Sequence, residues 1–301
     1  MKNVLVTGGA GFIGSHLCEA LVAQGYAVRV LDNLAYGRRE WVPPSCEFIL
    51  GDITDAQACH AAAAGMDGIF HLAAMSRSGP SQEHVDLCTR SNVVGTQNML
   101  LAARDAGVKR FIYSGSATAY GNLPPPHRED GPLEFLNIYA LTKRAGEQYS
   151  LLFDAQYDVP ALVLRYFSAY GPRQPQTGAY ALVLGIFLRR WREGLPLEIH
   201  GDGHQRRDFI HVRDIVAANI AAYESGLRGE ILNIGSGSNI SVRELAGMIS
   251  SHQTFTPARK DDSLATLADI SRAQDRLGWQ PRIAFADGLE ELKALIAAGK
   301  E

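Results

Sequence analysis

An α/β chain built on a doubly wound parallel sheet is what this sequence predicts, on three observations. Short β-rich runs alternate with longer helical stretches through the first half. Those runs are apolar on both faces, as strands covered on both sides require. The first of them ends in a glycine-spaced turn that opens a helix. With 301 residues, 46% hydrophobic, 20% charged, 30 Gly and 13 Pro, the chain suits one large domain or two coupled ones, large enough to fold without a metal or disulfide.

In order, strands are expected over 3–7, 27–32, 46–52, 68–72, 110–114 and 161–166, with helices near 12–24, 55–64, 85–106 and 139–157 between them. Beyond residue 166, Gly171, Pro172, Pro175 and Gly178 punctuate a loop. A helix near 179–193, a strand over 197–200 and the turn Gly201-Asp202-Gly203 then open a second, smaller region. A helix near 212–224 and a strand over 231–234 restore the α/β pattern. The expected division is a ligand-binding part over 1–167, rejoined at about 205–235, and a second part over 168–204 and 236–301.

Net charge is −3, from 29 Lys and Arg against 32 Asp and Glu, so nothing draws the chain to nucleic acid or an anionic membrane. An anionic ligand must then be held locally. The opening residues enter a strand pattern at once, with no signal-peptide pattern, and no apolar run has the length of a membrane span. Cys18, Cys46, Cys59 and Cys88 form no C-x-x-C and read as buried apolar residues in a reduced, cytoplasmic compartment. No metal site is expected.

The turn is Gly8-x-x-Gly11-x-x-Gly14, followed by a helix. Glycine permits the tight bend, close approach of a pyrophosphate and close packing of helix on strand, while the helix N-terminus offers unpaired N–H groups to the phosphates. Asp32 ends the second strand, where an acid accepts from both ribose hydroxyls and repels a 2′-phosphate; with Asn33 after it, NAD is favoured over NADP, although Arg38 and Arg39 follow. Asp52 and Ile53 end the third strand at the same edge, placed for the adenine.

Tyr139 and Lys143, four apart in a helical stretch, share one face. A phenol ionises near pH 10, so a tyrosine base at neutral pH needs a cation beside it. Ser116 follows the fifth strand at the carboxyl edge of the sheet, where ligands of such folds bind, and can hydrogen-bond the oxygen that Tyr139 deprotonates.

Together these residues resemble the extended short-chain dehydrogenase/reductase superfamily, its NAD-dependent epimerase/dehydratase branch, and most nearly the members acting as UDP-glucose 4-epimerases. The resemblance runs to about residue 290 and takes in Thr7 to Gly14, Asp32-Asn33, Gly51-Asp52-Ile53, His71-Leu72-Ala73-Ala74, Asn92 to Thr96, Tyr139-x-x-x-Lys143, Arg165 to Arg173, Gly201 to Phe209, Asn233 to Gly237 and Leu277 to Pro281. It implies a Rossmann-type sheet with a smaller C-terminal substrate-binding region. It implies Ser116, Tyr139 and Lys143 as catalytic residues. It implies an NAD site of Gly8, Gly11, Phe12, Ile13, Gly14, Asp32, Asn33, Asp52, Ile53, Leu72, Ala73, Ala74, Asn92, Tyr139, Lys143 and Tyr166. For a UDP-sugar it implies Ser116, Ser168, Tyr180, Ala181, Val183, Arg207, Arg259, Asp262 and Thr266. It also implies a homodimer formed by the helices near 85–106 and 139–157.

Four positions depart from that family's pattern. Ser168 replaces an Asn, Asp261 stands where Gly is common, and Thr266 replaces the bulky Tyr of some glucose-restricted members. Ala117-Thr118 lacks the acid that dehydratases and decarboxylases of the family carry, which favours epimerisation. A nucleotide-sugar ketoreductase, a dehydratase and a non-catalytic NAD sensor are the alternatives.

Overall fold

The computed structural model describes residues 2–76, 78–178, 181–258 and 264–299. The chain runs β1 (Asn3–Thr7), α1 (Phe12–Ala23), β2 (Ala27–Asp32), β3 (Glu47–Leu50), α2 (Ala56–Ala63) and β4 (Gly68–His71). Next come α3 (Ser78–Glu83), α4 (Val85–Thr89), a π turn over Arg90–Val94, α5 (Gly95–Ala106), β5 (Phe111–Ser116), α6 (Ile138–Tyr157) and β6 (Ala161–Tyr166). The rest is β7 (Ser168–Tyr170), α7 (Val183–Arg192), β8 (Leu197–His200), β9 (Arg206–Arg207), β10 (Phe209–His211), α8 (Val212–Glu224), β11 (Glu230–Ile234), β12 (Ile240–Ser241), α9 (Val242–Ile249), β13 (Gln253–Thr256), α10 (Ser271–Leu277) and α11 (Phe285–Ala297).

Seven strands form one parallel sheet in the order β11-β6-β5-β4-β1-β2-β3. Alternate residues of β1 serve opposite cores: Val4 and Val6 pack into one with α1 and α8, Leu5 into the other with α2 and α5. That is why the strand reads as an unbroken apolar run. A third core holds Tyr170, Leu184, Phe187, Leu197, Ile199, Leu245 and Leu289 and gathers α7, α9 and α11 around β8. Strand order reverses at β1, which pairs with both β2 and β4, so a crevice opens at the carboxyl ends of these strands.

Several elements differ from expectation. α3 appears where no element was expected; the proline in it, Pro80, is tolerated in a first helical turn, where its missing N–H would have no partner. The helix expected over 85–106 is interrupted by the π turn. α7 starts at Val183, four residues late, because Leu182 before it is extended (φ −87°, ψ 164°). All four cysteines are free and buried. No helix among the described residues is long and apolar enough to cross a membrane.

Candidate active site

The crevice is a cleft of about 750 Å³. At one end lies the glycine turn. Gly8 takes φ +71° and its N–H donates to Leu31 O at 2.9 Å. A Cβ on Gly8 would stand 2.8 Å from Ala73 N, and one on Gly14 would stand 2.1 Å from Gly8 O, so the protein's own packing demands both glycines. Gly11 is different: a Cβ there would meet only Gly8 O, at 3.2 Å, on a residue that lines the cleft. Gly11 also gives α1 no side-chain cap, and the first turn of that helix carries no acid. Open space beside uncapped helix N–H groups fits a dinucleotide pyrophosphate.

Asp32 lies at the next strand end. Its oxygens accept from Ala10 N–H at 3.0 Å and Leu34 N–H at 2.8 Å, which fixes the carboxylate with lone pairs left for ribose hydroxyls. Burial pushes this carboxyl up, and the two N–H donors pull it back. Asn33 donates to Asp52 at 2.7 Å. Burial also opposes charge on Asp52, but the bonds from Thr54 and Asn33 outweigh it and hold the group below its ordinary value. Ala35, Tyr36 and Gly37 line the cleft beyond Asn33. Arg38 and Arg39 do not; their guanidinium groups lie over Trp41 and Phe48, 5.2 and 4.5 Å from the ring centroids.

In the middle stand the reactive groups. Tyr139 lies in the first turn of α6, which Asn137 caps by accepting from Ala140 N–H at 2.9 Å, and Ser81 Oγ accepts from Tyr139 N–H at 3.1 Å. Lys143, one turn on, is 4% exposed, with Nζ 4.4 Å from the centre of the Tyr113 ring. Burial lowers its pKa to about 8, while Glu147 and Cys88 work in the opposite direction. Glu147 is itself held by two bonds from Arg165, at 2.9 and 2.8 Å. Ser116, 7% exposed, faces the same space. Tyr166 lines it too, its hydroxyl donating to Asn219 at 2.9 Å; burial pushes that phenol up to about 12, so it stays neutral.

Behind this group His71 joins three elements: Nδ1 bonds Thr7 Oγ1 at 2.8 Å and Nε2 bonds Thr96 Oγ1 at 3.1 Å. Burial pushes its pKa down to about 3, so it is a neutral strut. Asn92, also expected at the cofactor site, is buried behind the cleft. It stands outside the cleft wall, its amide spent on Met75 N–H and C=O at 2.8 and 2.9 Å and on Thr142 Oγ1 at 3.0 Å. Placed inside the π turn, it anchors the segment that lines the cleft through Met75 and Ser76.

At the far end Ser168, Arg207 and Thr266 line the cleft. Thr266 Oγ1 accepts from Asp208 N–H at 3.1 Å, which ties it to the strands carrying Arg207. Ala181 and Val183 do not line it. Leu182 does, with Pro175 and Thr177, because the late start of α7 shifts the residue that faces inward. Tyr180, Arg259 and Asp262 lie outside the described residues. Of the remaining cofactor-site expectations, Phe12, Ile13, Ile53, Leu72, Ala73 and Ala74 all line the wall. The described lining thus has its two carboxylates, Asp32 and Asp52, at one end and its two cations, Lys143 and Arg207, toward the other. No group of three His, Cys, Asp or Glu among the described residues could hold a metal.

The sequence model of the NAD dependent epimerase/dehydratase family matches residues 4–235. This chain belongs to that family. It is accordingly an enzyme of the family, with NAD as cofactor. The chain is 36% identical over 301 residues to a UDP-glucose 4-epimerase of Mycolicibacterium smegmatis, covering 95% of this chain and 96% of that one. It is 33% identical over 311 residues to a UDP-N-acetyl-alpha-D-glucosaminuronate decarboxylase of Bacillus cytotoxicus, covering 96% of each. Its fold matches that of the UDP-glucose 4-epimerase of Thermotoga maritima crystallised with UDP-glucose, with a TM-score of 0.95, 33% identity and 99% of both chains covered.

Proposed function

We propose that the protein interconverts the 4-epimers of a UDP-hexose, of the UDP-glucose/UDP-galactose type with room for an N-acetylated or uronic sugar, through a transient 4-keto sugar. The observation that carries this reading is the cleft's arrangement of charge and hydroxyls. Tyr139, Lys143 and Ser116 stand between a dinucleotide cradle and Arg207, and among the described residues no carboxylate lines the cleft beside them. Bound NAD supplies the acceptor, and then the donor, of the hydride at sugar C4. Tyr139 takes the proton of the 4-hydroxyl and later returns it, while the Lys143 ammonium favours its phenolate. Ser116 holds the reacting oxygen. Arg207 grips the diphosphate, so binding energy far from C4 retains the keto sugar while it turns over. Ala117 and Thr118 leave the sugar end without the base that dehydration or decarboxylation needs, which favours epimerisation among the activities of the relatives.

A proton NMR time course with UDP-glucose, UDP-N-acetylglucosamine and UDP-glucuronate together, with catalytic NAD, tests this directly. The expected result is a new 4-epimer signal from one of them, with no sustained absorbance change at 340 nm. No epimer from any of the three refutes the reading, and steady NADH production points to an oxidoreductase. The small Thr266 side chain supports the wider choice of sugars.

The same reading extends to assembly and place. Val85, Leu87 and Val94 on the α4–α5 segment, and Leu141, Leu152 and Tyr157 on α6, are each at least 41% exposed. A second copy of the chain, packing these helices against its own, would cover them, and sedimentation velocity of Leu152→Glu beside the parent chain tests it. Four free, buried thiols fit a reducing cytoplasm.

A further inference from the structure

Ser116 caps a short 3₁₀ turn over Ala117–Tyr120. Its Oγ accepts from the Thr118 backbone N–H at 3.3 Å and lies 2.9 Å from the Thr118 hydroxyl. Both side chains line the cleft, and among the described residues Thr118 makes both of these bonds to Ser116. A hydroxyl has one proton and two acceptor positions. The N–H can only donate, so it fills one lone pair of Ser116. If the Thr118 hydroxyl donates as well, both lone pairs are filled and the Ser116 proton has only the cleft to point into. If Ser116 donates to Thr118 instead, Ser116 faces the cleft without its proton. An oxygen gaining negative charge in front of Ser116 selects the first arrangement, and donation from behind strengthens the bond that Ser116 makes.

We propose that Thr118 is a positioning residue whose hydroxyl donates to Ser116 and thereby aims the Ser116 proton at the reacting sugar oxygen; this rests on the 4-epimerase reading above. It also divides the labour at the site. With both lone pairs filled, Ser116 cannot accept a proton, which leaves Tyr139 as the base.

The test compares Thr118→Val, Thr118→Ser, Ser116→Ala and the double variant Ser116→Ala/Thr118→Val with the parent enzyme, by steady-state kinetics on the UDP-hexose that the parent epimerises. Thr118→Val keeps the shape and removes the donor, so kcat should fall about tenfold with KM within about twofold. Thr118→Ser should stay within about twofold of the parent. On the Ser116→Ala background Thr118→Val should cost nothing more, because the effect passes through Ser116. Parent-like kcat in Thr118→Val overturns the proposal, as does an equal loss in Thr118→Ser, which would make the effect one of methyl packing. Losses that multiply in the double variant also overturn it. Weakened NAD or UDP binding by Thr118→Val in calorimetry would place the loss in folding rather than in aim, and would overturn it too. If the parent epimerises no UDP-hexose, the proposed function falls and this proposal with it; if the parent is active and Thr118→Val matches it, this proposal alone falls.

Discussion

The two ends of the cleft are built by different means. The cofactor end is mostly backbone and strand ends from the first 53 residues, where glycines and N–H groups set the shape and two carboxylates receive hydrogen bonds. The far end is assembled from side chains of distant segments, with Ser168, Thr177, Leu182, Arg207 and Thr266 converging from across nearly a hundred residues. A backbone-built site is spoiled by added atoms, whereas a side-chain-built site is tuned by exchanged ones. Substitutions should therefore fail in different ways at the two ends, and between them the chemistry should fail in a third.

The largest effect is expected in that middle ground. Tyr139→Phe should lower turnover by about a thousandfold while calorimetry finds NAD and UDP binding nearly intact. Parent-like turnover would remove Tyr139 from the chemistry. At the cofactor end the glycines should split. Gly14→Ala, whose Cβ would stand 2.1 Å from Gly8 O, should lose melting temperature and NAD together. Gly11→Ala, whose Cβ would stand 3.2 Å from Gly8 O, should lose much less melting temperature than Gly14→Ala but about a hundredfold in NAD affinity, because the methyl occupies space meant for the ligand. Equal loss of stability in both would break the distinction between a glycine kept for the fold and one kept for the ligand.

Lys143 supplies the pH test. Burial lowers its pKa to about 8, so the ammonium is present below that pH and lost as pH rises through it. Turnover should therefore fall about tenfold per unit of pH above about 8, and Lys143→Arg, charged throughout, should abolish that limb whatever its absolute rate. An alkaline limb unchanged in Lys143→Arg would assign it to another group. The smallest effect belongs to the far end. Arg207→Gln should raise KM several-fold, by about fivefold, with kcat unchanged, as expected for a contact kept throughout the reaction. A loss confined to kcat would move Arg207 to the reacting centre.

How much of this was legible in the sequence follows the same division. β1, β2 and β6 have their expected bounds because strands of a sheet covered on both faces announce themselves as apolar runs, and β8 has its own because Leu197 and Ile199 alternate with polar residues. β9 and β12 did not show, since two residues carry no alternation, and the π turn did not, since it lies inside a run that is helical on both sides. Gly8, Gly14 and Asp32 were readable because the backbone leaves few residue types able to stand there. That the Asn92 amide holds Met75 was not readable, since nothing in a single sequence separates a side chain facing the cleft from one bracing its wall. That Leu182, between Ala181 and Val183, lines the cleft was not readable either, since the phase of a helix depends on where it starts and the extended backbone of Leu182 is decided by packing. Thr118 was noticed only for the acid it lacks. Two hydroxyls two residues apart become a pair only once the chain turns there.

β11 sits at the outer edge of the main sheet, pairing Glu230 to Ile234 with Leu162 to Tyr166 of β6. In biosynthesis the large sheet cannot acquire its last strand until the ribosome has also released residues 168–229, which include Ser168 and Arg207. The two halves of the cleft are interleaved along the chain, so neither can be completed, truncated or exchanged as a unit without the other. A shuffled hybrid joined at residue 167 would inherit a sheet whose edge strand belongs to a different parent.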